Sequence, residues 1–357
     1  MFKNLFKISL IVTSIVMFSC AAEEELSVAE QGASETTGKI NVLATTPMIG
    51  EYVSEIGGDN INLTILMPPE VDPHTYDPTP QDAGKIADAD LIFYVGLKYE
   101  PTGLIQLLEN SSSGENVLVE VGEGINPIEF KEGGHDDHDD HEGHEGHDHG
   151  LYDPHFWFDP MRVAMASEMI KDKLVEFDPE NKESYESLAS DYVIMLNDLD
   201  ESVTEMIAKV PEKNRKLITT HESLGYLENR YGVKVLTTII PSIDSANEIS
   251  PSQLVDVIEI IEHNNIKVLF VESEAPSIFS ETISAESGID LVTGLWVETL
   301  KVNQSYKDFI LSNVELIVEN LDHEDHGDDH EHHDDHDDHE DHDKDEDHDH
   351  EHEGKKE

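Results

Sequence analysis

The sequence predicts an α/β protein of two lobes, each built on a parallel sheet of βα units, with one long backbone helix joining them. Three observations predict it. Short β-prone runs alternate with helical segments over residues 39–183, and the same alternation restarts at 211 and continues to 321. Between them lies one unbroken amphipathic stretch, 184–210. Strands separated by helices are joined by crossovers, which lay helices on both sheet faces and leave the strands parallel. A length of 357 residues accommodates two such lobes.

In the first lobe, residues 40–45 are β-prone. Pro47 suits the first turn of a helix running to about Ile56, and Gly57-Gly58 end it. Residues 61–67 form a second strand, stopped by Pro68-Pro69. Residues 80–88 read as a helix, 91–95 as a continuous apolar strand, 103–109 as a short helix and 117–121 as a further strand. In the middle stretch Leu188, Tyr192, Met195, Leu199, Val203 and Ile207 recur every three or four residues as one apolar stripe, and Pro211 closes it. A helix of that length, rising about 1.5 Å per residue, crosses the whole molecule. In the second lobe, 216–220, 235–239, 268–271 and 290–292 read as strands, and 224–231, 251–263, 278–286 and 306–320 as helices.

Residues 1–19 read as an export signal. Lys3 and Lys7 precede an apolar run, 8–18, that is too short to span a bilayer. Cys20 is the only cysteine, so no intramolecular disulfide is possible. Its place after Ser19 and the apolar run resembles a bacterial lipoprotein cleavage box, with Met17 where such boxes usually carry Leu. On that reading the membrane is reached through a lipid anchor on Cys20; ordinary signal cleavage would leave an exposed free thiol. Residues 20–38 are polar and acidic, a flexible tether.

The formal net charge is −57, from 22 basic and 79 acidic residues. Such a field excludes nucleic acid and anionic membrane as ligands and favours cations. The charge is concentrated in an insert within the first lobe, 134–150, and in a tail, 322–357, both almost wholly His, Asp, Glu and Gly. Neither can bury apolar surface, and both are expected to be disordered.

Histidine is the informative residue. Of 21, six lie in the insert (His135, His138, His141, His144, His147 and His149), eleven in the tail, and four in the body: His74, His155, His221 and His263. His263 ends a helical segment, where a cation suits the helix dipole. The other three follow strand or loop signals. His74 and His155 each stand in an Asp-Pro-His triplet, and His221 directly follows 216–220. Loops at the carboxyl ends of parallel strands are where α/β sheets carry ligand groups. Asp72 and Asp153 are placed to accept one ring N–H of the adjoining histidine and leave the other nitrogen free for a metal. Taken singly each histidine has a structural explanation. Together, beside His-rich tracts, they point to a metal site. Histidine at every third residue suits tracts that collect zinc at low affinity, since each such site must be ordered before it binds.

These motifs carry a family resemblance over about 40–320. Pro73-His74-Thr75-Tyr76 with Pro78, Asp153-Pro154-His155-Phe156-Trp157-Phe158-Asp159-Pro160, His221-Glu222-Ser223-Leu224-Gly225-Tyr226 and Gly294-Leu295-Trp296-Val297-Glu298-Thr299-Leu300 resemble the ligand motifs of periplasmic zinc- and manganese-binding proteins of bacterial ABC importers. The insert resembles the His-rich loop of the zinc-specific members. The resemblance implies a metal site in the interlobe cleft, with Zn(II) as cargo held by His74 and His155 from the first lobe and His221 and Glu298 from the second. It implies a monomer, delivery to ABC importer membrane subunits, and a place in the periplasm or outer cell envelope. Glu298 stands where Asp is commoner, which leaves monodentate or bidentate contact, or an outer position, open. Manganese members commonly carry a carboxylate where this chain has His221, and manganese prefers more oxygen ligands. A zinc buffer or a metal-dependent adhesin would use the same site without a transporter. A zinc hydrolase is disfavoured, because there is no His-Glu-x-x-His segment and Ser223 has no flanking glycine elbow. Glu272, a weaker acidic candidate on a strand end, reads as structural.

Overall fold

A computed structural model describes residues 38–111, 117–130, 152–247, 249–274 and 277–321. The export signal, Cys20, almost all of the tether, the six histidines of the insert and the acidic tail lie outside the described residues.

The first lobe opens with β1 (Ile40–Ala44), α1 (Pro47–Gly57), β2 (Ile61–Ile65), α2 (Pro80–Ala87), β3 (Leu91–Tyr94), α3 (Thr102–Ser111) and β4 (Val117–Glu120). Its four strands pair in parallel in the order β2-β1-β3-β4. The punctuation is local chemistry. Thr46 caps α1 by accepting from the Ile49 N–H, and Pro47 fills the first position. Asp82 of α2 accepts from the Thr79 N–H at 2.8 Å, a capping box.

Two long helices follow, α4 (Pro160–Phe177) and α5 (Lys182–Ala208). The second lobe then runs β5 (Lys216–His221), α6 (Gly225–Tyr231), β6 (Lys234–Ile240), α7 (Pro251–Asn264), β7 (Val268–Glu272), α8 (Ser280–Ser287), β8 (Asp290–Leu295) and α9 (Tyr306–Leu321). The strands β5 and β6 pair in parallel, as do β7 and β8. Among the described residues no helix is long and apolar enough to cross a membrane.

The sequence reading assigned nothing to 160–177, yet α4 is there. Its signals are local: Asp159 caps it by accepting from the Met161 N–H at 2.9 Å, Pro160 opens it, and Val163, Ala166, Ile170 and Leu174 form its buried face. The stripe on α5 is also turned slightly. Tyr185, Ala189 and Leu196 are buried with Tyr192, Leu199, Val203 and Ile207, while Leu188 and Met195 sit at its margin. Aromatic packing sets that rotation, because Tyr52 of α1 meets Tyr192 at 6.5 Å and Tyr306 of α9 edge-on at 5.5 Å between ring centroids.

The alternation of side chains along a strand sorts the core. In β1 and β3, Val42, Ala44, Leu91 and Phe93 face a large central cluster, and Leu43 and Ile92 face a smaller one with Ile86, Leu104 and Leu108. In β7, Val268 and Phe270 face the same central cluster, and Leu269 and Val271 an outer one with Val257 and Ile261. The central cluster is therefore shared by strands of both lobes, from the four-stranded sheet and from the separate pairs β5-β6 and β7-β8, with α1, α4, α5 and α9 inside it.

One consequence is testable. Truncating Leu196, fully buried on α5, to Ala should cost about 2–5 kcal/mol and shift a single transition for the body in denaturant. Two separate transitions, with only one displaced, would contradict a shared core.

Candidate metal centre

The carboxyl ends of the strands converge. His74 sits on a 3-10 turn, Pro73–Thr75, in the loop after β2; His221 is the last residue of β5; Glu298 follows β8 by a short loop. His155 comes from the loop that leads through another 3-10 turn, Phe156–Phe158, into α4. Each of the four offers one ligand atom, and those atoms all lie within 4.8 Å of one another. The Nε2 atoms of His74, His155 and His221 stand 3.6, 3.3 and 2.6 Å from Glu298 Oε1. All four atoms are buried and none has a hydrogen-bond partner. Buried polar atoms are nearly always paired, so four orphans facing one another mark a place built for a cation.

The remaining ring and carboxylate atoms are held. Asp153 Oδ1 meets His155 Nδ1 at 2.8 Å and accepts from its backbone N–H at 2.8 Å. Glu272 Oε2 meets His221 Nδ1 at 2.5 Å, while its Oε1 accepts from Thr219 Oγ1 at 2.8 Å and from the His221 N–H at 3.1 Å. Tyr99 donates its hydroxyl to Glu298 Oε2 at 2.8 Å. One carboxylate oxygen is thus occupied and the other left bare, facing the three imidazoles. Glu274 Oε1 accepts from the N–H groups of Val297, Glu298 and Thr299 at 3.0, 3.0 and 3.3 Å, clamping the backbone beneath Glu298. Trp157, which donates to the Val297 carbonyl at 2.7 Å, and Tyr99 wall the cluster edge-on.

Asp72 departs from expectation. It accepts from the His74 backbone N–H at 2.9 Å, capping the turn, and its other oxygen accepts from Ser245 of the second lobe at 2.7 Å. Its bonds fix the loop that presents His74 instead of that histidine's ring. His263 lies in the last turn of α7, outside the cluster. Tyr99 and Glu274 are neighbours of the cluster that the sequence did not single out, and Glu272, read from the sequence as structural, stands behind His221. Glu272 ends a strand, and only the seating of β7 beside β5 brings it to His221.

Electrostatics follows burial. Burial opposes the charged imidazole of His155, but the carboxylates of Glu298 and Asp153 outweigh it and raise its pKa to about 9. Burial likewise opposes the charge on His221, and Glu272 and Glu298 together raise its pKa well above the ordinary histidine value. For Glu298 burial acts to raise the pKa, and His155, His74 and His221 overcome it and hold the carboxyl well below its usual range. The site demands positive charge at its centre.

Residues 42–320 match the ZnuA family, described as zinc-uptake complex component A, periplasmic. The chain is 30% identical over 324 residues to the metal ABC transporter substrate-binding lipoprotein ScbA of Streptococcus cristatus, covering 88% of this chain and 98% of that one. It is 27% identical to the manganese-binding lipoprotein MntA of Halalkalibacterium halodurans, covering 89% and 99%. The periplasmic zinc-binding protein TroA of Treponema pallidum shares the fold, with a TM-score of 0.70 at 24% identity over 80% of this chain and 100% of that one. A periplasmic metal-binding protein of Candidatus Liberibacter asiaticus superimposes with a TM-score of 0.67 at 26% identity, over 79% and 100%.

The pairing of Glu272 with His221 has a measurable signature. In metal-free protein the Glu272→Gln substitution should lower the pKa of His221, read from its ring resonances by NMR. An unchanged value would mean that Glu298 alone sets it.

Proposed function

The chain belongs to the zinc-uptake complex component A family of periplasmic proteins, and from that premise we propose that it captures Zn(II) with high affinity outside the cytoplasm and delivers it to the membrane subunits of an ABC importer. The family is one of solute-binding transport proteins, not enzymes, and the metal is cargo.

The observation that carries this proposal is the set of four unpaired buried atoms. Tetrahedral ligands at about 2.0–2.1 Å from zinc stand about 3.3 Å apart. The separations of 3.6 and 3.3 Å from Glu298 Oε1 to His74 and His155 suit that shell, and the 2.6 Å approach of His221 opens slightly around an ion. Three imidazoles and one carboxylate oxygen favour zinc; manganese favours more oxygen. Glu298, Asp153 and Glu272 supply negative charge, and Asp153 and Glu272 set the tautomers that leave each Nε2 lone pair free.

A second metal has a specific observation behind it. Several similar proteins are named as manganese-binding, MntA among them. Competition between the two ions for one site, followed by metal analysis of protein purified from its own cells, distinguishes the readings: zinc retained against excess manganese supports ours, and manganese retained overturns it.

In this proposal the two lobes are 39–183 and 211–321, linked by 184–210, the protein acts as a monomer, and Cys20 carries the lipid anchor. Its relatives are lipoproteins by name. His74 is the most accessible ligand, with its side chain 5% exposed against 0% for the other three, so an ion enters past His74.

Two measurements test the site. In zinc titrations against a chelator strong enough to keep the His-rich tracts empty, His155→Ala should weaken binding by more than the about 10–100-fold typical of losing a residue that only orients a ligand. Deleting residues 322–357 should change it little, and equal losses would count against the pocket. Zinc must also displace protons from His155 and His221. Because both pKa values are raised, affinity should rise with pH toward 9 and fall as the medium becomes acid. A flat profile between pH 6 and 8, approximately the span over which those protons compete, would refute ligation by these rings.

A further inference from the structure

Asp153 is confined on every side. Its Oδ1 holds His155 through the ring Nδ1 and the backbone N–H, each at 2.8 Å. Its own N–H donates to the Ile128 carbonyl at 3.0 Å, and its carbonyl accepts from the Tyr226 hydroxyl at 2.8 Å. That same hydroxyl accepts from the Ile128 N–H at 3.2 Å. The backbone of Asp153 therefore has no freedom to shift.

The second carboxylate oxygen faces the other lobe. Gly225, the first residue of α6, lies against it: a Cβ built on Gly225 would stand 2.4 Å from Asp153 Oδ2, with Ile128 Cδ1 next at 3.5 Å. A separation of 2.4 Å is far inside the contact distance of carbon and oxygen. The backbone of Gly225 does not call for glycine, since it is not among the residues of positive φ. Nor does helix propensity, which favours alanine over glycine. The remaining reason for glycine is space for this carboxylate.

We propose that Gly225 is a positioning residue for the metal site, its missing side chain leaving the room in which Asp153 holds His155 with Nε2 turned toward the ion. The proposal rests on the reading of His155 as a ligand. With the Asp153 backbone pinned at both its N–H and its carbonyl, a methyl group at 225 is accommodated by turning the carboxylate. That turn breaks the bond to His155 Nδ1. The imidazole then loses the partner that fixes its tautomer and raises its basicity. The second lobe thereby acts on a ligand of the first through a single atom-sized space, four residues beyond its own ligand His221 in the chain.

The test uses the full chain and zinc, titrated against a chelator that leaves the His-rich tracts empty. Gly225→Ala should weaken zinc binding about 10–100-fold while the protein stays folded, with an unchanged far-UV circular dichroism spectrum and one cooperative unfolding transition. In the metal-free protein the downfield Nδ1 proton resonance of His155 should move or vanish. In an Asp153→Ala background the added Gly225→Ala substitution should change zinc affinity no further, because the carboxylate it would displace is gone. Unchanged affinity in Gly225→Ala, alongside a large loss in His155→Ala, would overturn this proposal and leave the metal site standing. An equal fold-loss with and without Asp153 would also overturn it. Unchanged affinity in His155→Ala would instead sink the ligand reading beneath it.

Discussion

Glu298 is a carboxylate with no exposure to solvent, and one of its oxygens has no hydrogen-bond donor. Burying such a charge without a compensating positive one costs several kcal/mol. The structure answers by ringing that oxygen with three imidazole nitrogens. The raised pKa values of His155 and His221 let protons there supply the compensation, and in the proposed function a divalent cation would take their place. The centre is a place where a cation and protons exchange for each other. On the proposed ligation, metal uptake is coupled to proton release.

Holding that arrangement requires rigidity around it. The clamp of Glu274 on three successive N–H groups, the hydroxyl of Tyr99 on Glu298, and the carboxylates behind His155 and His221 each remove a rotation that would spoil the convergence. The same stiffness extends outward, since one hydrophobic cluster includes strands of both lobes and the helices between them. Wide hinge opening would expose that shared core to water, at roughly 25 cal/mol for each Å² uncovered. In the proposed function, displacing a ligand loop would therefore cost less than parting the lobes. His74, on a loop tied to the second lobe by Asp72 and Ser245, is the ligand least buried.

Much of this was legible from local chemistry. The Asp-Pro-His triplet at 153–155 carries its own orienting carboxylate two residues away, and the structure keeps that bond at 2.8 Å. The identical triplet at 72–74 does not repeat it. There Asp72 turns to the backbone and to Ser245, because a 3-10 turn needs its cap and a loop of the other lobe lies within reach. Helix α4 escaped notice although Asp159 and Pro160 announce it, since its apolar face is small and mixed with Ala and Ser.

The sequence by itself determined the alternation of elements, the parallel strand pairing, and the three histidines that meet at one point. These follow from periodicity and from residue types whose chemistry has few other uses. Glu298 was reached only through the family resemblance. Only the tertiary structure decided which carboxylates stand behind those rings. Glu272 reaches His221 from 51 residues away and Tyr99 reaches Glu298 from 199. Such pairs depend on which strand ends are seated side by side, and a pattern read along one chain does not contain that distance.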